Sequence, residues 1–148
     1  MIEVKELHKS FGTAHILKGV STEFEKGKVN MIIGQSGSGK TVFLKCLLGL
    51  HVPEEGSIAF DGRIYSKLDI DKKRELRTEI GMLFQGSALF DSLTVEENIM
   101  FPLKMFASQS KKEMLARVNF VLDRVNLSNS NHKFPAELSG GMQKRVGI

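Results

Sequence analysis

Gly34, Gln35, Ser36, Gly37, Ser38, Gly39, Lys40 and Thr41 read G-x-x-x-x-G-K-[ST]. This order of residue types suits the binding of a nucleoside triphosphate. The glycines allow backbone angles that a side chain forbids, so several amide N–H groups can converge on one anion. A helix starting at the end of such a loop adds unpaired N–H donors and about half a positive charge. Lys40 brings a full charge toward the β- and γ-phosphates, and the Thr41 hydroxyl can join the shell of a Mg²⁺ ion. The competing reading is a plain glycine-rich turn in front of a core helix. A GTPase would also carry a guanine-reading Asn-Lys-x-Asp element, and the sequence has none.

The elements around the loop fit the first reading. Val29, Met31, Ile32 and Ile33 form a near-continuous apolar run, the pattern of a strand buried on both faces. After the loop, Lys40 to about Leu48 reads as a helix with Gly49 as its stop. Upstream, Ile2 to Leu7 and Val20 to Phe24 read as strands. Downstream, Pro53 to Gly56 reads as a turn and Ser57 to Phe60 as a strand closed by Asp61-Gly62. Asp69 to Glu79 is charged and helical in pattern, and Ile80 to Phe84 reads as another apolar strand. Thr94 to Glu97 fits a capping box for a helix that Pro102 should end or kink. Ser110 to Glu113 fits a second box. Met114, Val118, Val121 and Val125 recur behind it at helical spacing, as a core stripe does. Pro135 breaks the chain before Leu138-Ser139-Gly140-Gly141.

Composition bounds the answer. The 148 residues make room for one domain of ordinary size, and 41% hydrophobic with 26% charged residues is a globular balance. No apolar run approaches the roughly 20 residues of a membrane helix, and the N-terminal stretch lacks the apolar core of a secretory signal. The net charge of +4 is spread along the chain, so no nucleic-acid partner is expected. Cys46 is the one cysteine, read as a small apolar residue of the helix and consistent with a reducing compartment. His8, His15, His51 and His132 are scattered and read as surface or packing residues. Asn126-Leu127-Ser128 matches a glycosylation pattern that a cytoplasmic chain would leave unused.

With Leu138-Ser139-Gly140-Gly141-Met142-Gln143-Lys144-Arg145 added, the chain resembles the ATPase subunit of ABC transporters. Those residues match the family's signature motif, Gln85 its Q-loop glutamine, and Phe11 in Lys9-Ser10-Phe11-Gly12 the ring that stacks on adenine. The resemblance implies an α/β P-loop NTPase of ABC type, in its N-terminal part only. That part comprises an antiparallel β subdomain, a Walker A strand-loop-helix and a helical signature subdomain, with the core parallel sheet incomplete. It implies a division near residue 85, with 1–85 as nucleotide-binding core and 86–148 as a mainly helical subdomain. Gly34 to Thr41 are then expected to bind ATP, with Phe11 on the base. Thr41 and Gln85 are expected to hold Mg²⁺, and Lys40 and Gln85 to serve catalysis. Ser139, Gly140, Gly141 and Gln143 are expected to reach the γ-phosphate bound by a second ATPase subunit in a head-to-tail dimer. Ser139 can cap a helix beginning near Gly140 and present an anion site. On their own, Phe11 could be a core aromatic, Gln85 a strand end and Ser139 a simple helix cap.

Gly81 to Val95, with Glu97-Asn98-Ile99 and Phe101-Pro102-Leu103, resembles the Mla-type ATPases that energise phospholipid movement. This implies an integral permease docked near Ser87 to Phe106, an MCE-type lipid-binding subunit, and a place on the cytoplasmic face of a bacterial inner membrane. Amino-acid and lipoprotein importers share much of the pattern. A non-transport ABC protein and a non-catalytic nucleotide-binding module are the other readings. The family's Walker B strand, catalytic glutamate, D-loop and switch histidine are not among the 148 residues. The expectation is therefore impaired hydrolysis by this stretch. Its two apolar strands should also lose partners, at about 6–12 kcal/mol if eight large residues each forfeit half their burial. Altered packing, swapping or aggregation is the expected result unless the stretch belongs to a longer folded protein.

Overall fold

The computed structural model describes residues 1–106 and 109–148. They form two compact units, Met1–Ile80 and Gly81–Ile148, so the division falls just before the expected one.

The first unit is built on a four-stranded antiparallel sheet in the order β2-β1-β3-β4. Its strands are β1 (Ile2–Phe11), β2 (Ala14–Phe24), β3 (Glu55–Phe60) and β4 (Arg63–Ile64). Strands β1 and β2 form a hairpin whose last pair is Phe11 with Ala14. Strands β3 and β4 join through Asp61 and Gly62, both left-handed (φ 47° and 79°), as a two-residue hairpin turn requires. β1 carries an extra residue around Lys5 and Glu6 relative to both neighbours. Glu6 is left-handed there (φ 46°), and its amide donates to Ser21 Oγ at 2.9 Å. A Cβ at Gly56, opposite this bulge, would stand 2.2 Å from the Glu6 carbonyl oxygen, so only glycine fits.

Two helices pack on the sheet. Helix α1 (Lys40–Leu47) buries Phe43, Cys46 and Leu47. Helix α2 (Ile70–Thr78) buries Leu76 and is capped by Asp69, which accepts from the Lys72 amide at 2.8 Å. With Val4, Leu7, Leu17, Ile58 and Phe60 these make one apolar core.

The second unit is helical, with α3 (Val95–Phe106), α4 (Lys111–Arg124) and α5 (Gly140–Val146). Both expected capping boxes form. The Thr94 and Ser110 hydroxyls accept from the amides of Glu97 and Glu113, and those carboxylates accept back from the cap amides at 2.8 Å. Val95, Met100, Val118, Leu122, Leu127 and Leu138 form the core. Helix α3 runs through Pro102 to Phe106 instead of ending there.

Two strands expected from the sequence are not formed. Residues 29–33 and 80–84 have no ladder partner among the described residues. Val29, Met31 and Ile33 are 98%, 80% and 84% exposed, while Ile32 and Ile80 rest against the first core. An apolar run becomes a strand only beside another strand, and the four described strands pair among themselves. All described pairing is antiparallel. The Walker A element is therefore extended chain, loop and helix.

Candidate functional site

In the first unit, the loop enters α1 through Gly39, which is left-handed (φ 91°) and offers no side-chain cap. Among the described residues, no acceptor takes the amides of Lys40, Thr41 or Val42. These three donors open the helix and are the residue-level source of an anion site. A Cβ at Gly39 would come 3.0 Å from Ile16 Cγ2 and 3.3 Å from Leu17 Cδ2. Strand β2 thus fixes where the helix begins, and glycine is demanded twice over, by angle and by space. Gly37 is also left-handed (φ 80°), and the Ser38 amide closes the turn on the Gln35 carbonyl at 3.2 Å. The Lys40 ammonium donates to the carbonyls of Gly34 and Gln35 at 2.7 and 2.6 Å, arching back across the loop. No acidic residue lies in the first turn of α1.

These residues fit a bound triphosphate: unpaired amides, a cation held over the loop by carbonyls alone and no competing carboxylate in the first turn. The Thr41 hydroxyl has no hydrogen-bond partner among the described residues, and neither does the Gln85 carboxamide. Both are neutral oxygen donors suited to Mg²⁺. Among the described residues, no group of three His, Cys, Asp or Glu side chains could hold a metal. The Thr41 hydroxyl, at the start of the helix behind the loop, suits a Mg²⁺ ion that arrives with phosphate oxygens. A cavity of about 390 Å³ between β2 and residues 31–33 also touches Ser38, Gly39 and Lys40. Leu17, Val20, Phe24 and Phe43 give it an apolar wall that does not suit a phosphate.

Phe11 stands at the hairpin tip, about 7 Å along β2 from Ile16 on strand geometry. Its ring is 46% exposed, which sets aside the core-aromatic alternative. The Lys9 ammonium lies 5.1 Å above it, and His51 meets it at 5.2 Å with the planes 75° apart. Lys9 is paired with Glu54, whose other carboxylate oxygen accepts from the Ser10 amide at 2.9 Å. The hydrogen bond from Lys9 holds the Glu54 carboxyl below the usual carboxylate range. Burial pushes the Cys46 thiol up, in line with an apolar packing role.

The remaining candidates belong to the second unit. Ser139 is the N-cap of α5, its hydroxyl accepting from the Met142 amide at 3.3 Å. Gly140 and Gly141 have open space where a Cβ would be. The Gln143 carboxamide donates to the Pro135 carbonyl at 2.8 Å, tying α5 to the turn before it. Gln85 lies exposed in a turn rather than at a strand end.

Three residues make contacts that the sequence reading did not assign to them. Glu54 clasps β1. Asn98 donates to the carbonyls of Phe90, Leu93 and Thr94 and accepts from the Phe90 amide, pinning the loop before α3. Arg145 donates to the Val125 and Asn126 carbonyls at the end of α4, joining α5 to it. Glu54 and Arg145 act on backbone distant in the chain, and Asn98 on the loop just before its own helix; no local motif announced these contacts.

A family model described as ABC transporter matches residues 17–148. The chain is similar to the probable ribonucleotide transport ATP-binding protein mkl of Mycobacterium leprae, at 43% identity over 99% of this chain and 42% of that protein. It is similar to the methionine import ATP-binding protein MetN of Brucella abortus, at 40% identity over 100% of this chain and 40% of that protein. It thus spans about two-fifths of the length of these curated relatives. Among solved structures, a dimeric bacterial ABC transporter cassette matches with a TM-score of 0.87 and 32% identity over 100% of this chain and 67% of that one. A dimeric cassette in a post-hydrolysis state with ADP and Pi matches at 0.84 and 33%, over 99% and 67%.

Proposed function

The chain belongs to the ABC transporter family, and from that premise we propose that it is the nucleotide-binding portion of an ATP-hydrolysing transport subunit. The carrying observation is the start of α1, where three amides without acceptors and Lys40 converge on one loop. Amides and ammonium hold the β- and γ-phosphates, and Phe11 takes the base. Thr41 would hold a Mg²⁺ ion, with Gln85 proposed as a further ligand, and the ion would supply charge neutralisation at the phosphates. Titration of MgATP by calorimetry tests the reading. Binding that Lys40→Ala weakens about 10- to 100-fold supports it, and equal binding by wild type and variant overturns it.

The signature residues serve a second subunit's nucleotide in this proposal. Among the described residues nothing crowds a side chain at 140 or 141, and the smallness of both favours a close approach from outside. The similar cassettes solved as dimers support the same reading. Residues 1–85 act as the nucleotide-binding part and 86–148 as the helical part. The stretch from Ser87 to Phe106 docks a permease, which accords with the exposure of Phe90, Phe101, Met105 and Phe106. In this proposal the permease supplies the membrane path and the subunit sits on its cytoplasmic face; no described helix is long and apolar enough to cross a membrane.

For cargo, the sequence from Gly81 to Leu103 favours phospholipid, with an MCE-type subunit as further partner. Methionine import is the second reading, favoured by the MetN relative. Co-purification of the whole transporter, followed by lipid extraction and by methionine uptake, separates the two.

A further inference from the structure

An aromatic side chain at a hairpin tip normally turns freely, yet Phe11 is braced. Glu54 does the bracing from the segment before β3. Its amide donates to the His8 carbonyl at 3.1 Å, its carboxylate accepts from the Ser10 amide at 2.9 Å, and it pairs with the Lys9 ammonium. One residue thus grips three consecutive positions of β1. The last true ladder pair between β1 and β3 is His8 with Glu55. Beyond it the Glu54 carboxylate replaces the missing strand, continuing the pairing toward Phe11. Lys9 is the second half of the brace. Its side chain is only 13% exposed, and its ammonium is shared between the carboxylate and the ring. His51, three residues before Glu54, meets the same ring.

We propose that Glu54 is a positioning residue for base recognition: through the Ser10 amide and Lys9 it holds the Phe11 ring in the orientation on which the base of a nucleotide stacks. The inference rests on the reading of Phe11 given above. It predicts that Glu54 governs affinity for the base and not for the phosphates. The carboxylate form does the work, because it alone accepts from an amide and an ammonium at once.

The chain has no tryptophan, so Phe11→Trp introduces a lone indole at the site, which can be excited apart from Tyr65. In the Phe11→Trp protein, MgATP should quench the emission. Adding Glu54→Gln should lower the fluorescence anisotropy before nucleotide is added and weaken MgATP binding about three- to tenfold. Binding of magnesium tripolyphosphate, measured by calorimetry, should change less than twofold, and the melting temperature should stay within about 2 °C. Unchanged anisotropy and MgATP affinity overturn the inference. So does an equal loss for MgATP and tripolyphosphate, which marks a general structural role. Phe11→Ala, measured by calorimetry, separates the two levels. If it leaves MgATP affinity intact, the base-binding reading of Phe11 itself fails; if it weakens MgATP alone while Glu54→Gln does nothing, only the assignment to Glu54 fails.

Discussion

Two helices here begin after serine and glycine, and they begin in opposite ways. Before α1 stands Gly39, left-handed and without a side chain, and the first amides of the helix keep no acceptor. Before α5 stands Ser139, whose hydroxyl already takes the Met142 amide. The first start has a lysine beside it that can turn from carbonyl to anion. The second has Gln143 fastened to the preceding turn. Glycine content alone therefore does not set how many amides a helix start leaves open within the chain. What decides is whether a side chain competes for the amides, and whether packing or open space demands the glycine.

Breaking that contrast is straightforward. Lys40→Ala should weaken MgATP binding about 10- to 100-fold, since charged hydrogen bonds contribute about 1.5–3 kcal/mol. Ser139→Ala should leave the chain's own MgATP affinity within twofold. Calorimetric losses of similar size in both would erase the distinction. Next in size is the packing arm. Gly39→Val meets Ile16 and a left-handed backbone, and should cost about 2–4 kcal/mol in urea unfolding. Gly140→Ala, in open space at a helix start, should be neutral or stabilise by up to about 1 kcal/mol. A costly Gly140→Ala would mean that α5 is as constrained as α1. Smaller again, Ser139→Ala should cost about 1 kcal/mol and Ser139→Gly a few tenths, read from the same unfolding curves.

Acid provides the gentlest test. Glu97 and Glu113 are held below the ordinary carboxylate range by hydrogen bonds from Thr94 and Ser110. A carboxylate with a lowered folded-state pKa contributes stability that is present above its unfolded value and is lost as pH falls through the folded one. The capped second unit should therefore soften below about pH 4. Glu113→Gln should flatten that dependence slightly, as followed by melting temperature against pH. Helix α1, with no acidic residue in its first turn, should show no matching term.

Much of this was legible in the sequence, for physical reasons that can be named. The helix starting at Lys40, the Asp61-Gly62 turn, both capping boxes and the Ser139 cap are local chemistry, decided within a few residues. The apolar runs at 29–33 and 80–84 have no ladder partner among the described residues, in line with the expected loss of neighbours, because strand formation is decided by those neighbours. Of the end or kink expected at Pro102, the end is not there: α3 runs past it to Phe106. His51 passed as a scattered histidine, and Glu54 as part of a turn. Their contacts with Phe11, Lys9 and Ser10 span some forty positions of chain and exist only once β1 and β3 lie side by side.

The bulge at Glu6 sets the parity of everything that follows on β1. Val4 and Leu7 are three positions apart, an odd count, yet both point into the core. Only the inserted residue reconciles that with two-residue alternation. Counting on by twos from Leu7 arrives at Lys9 and then Phe11. Deleting one residue at the bulge would send the ring to the opposite side of the ribbon. The aim of Phe11 is thus set upstream, by an irregularity that touches no ligand.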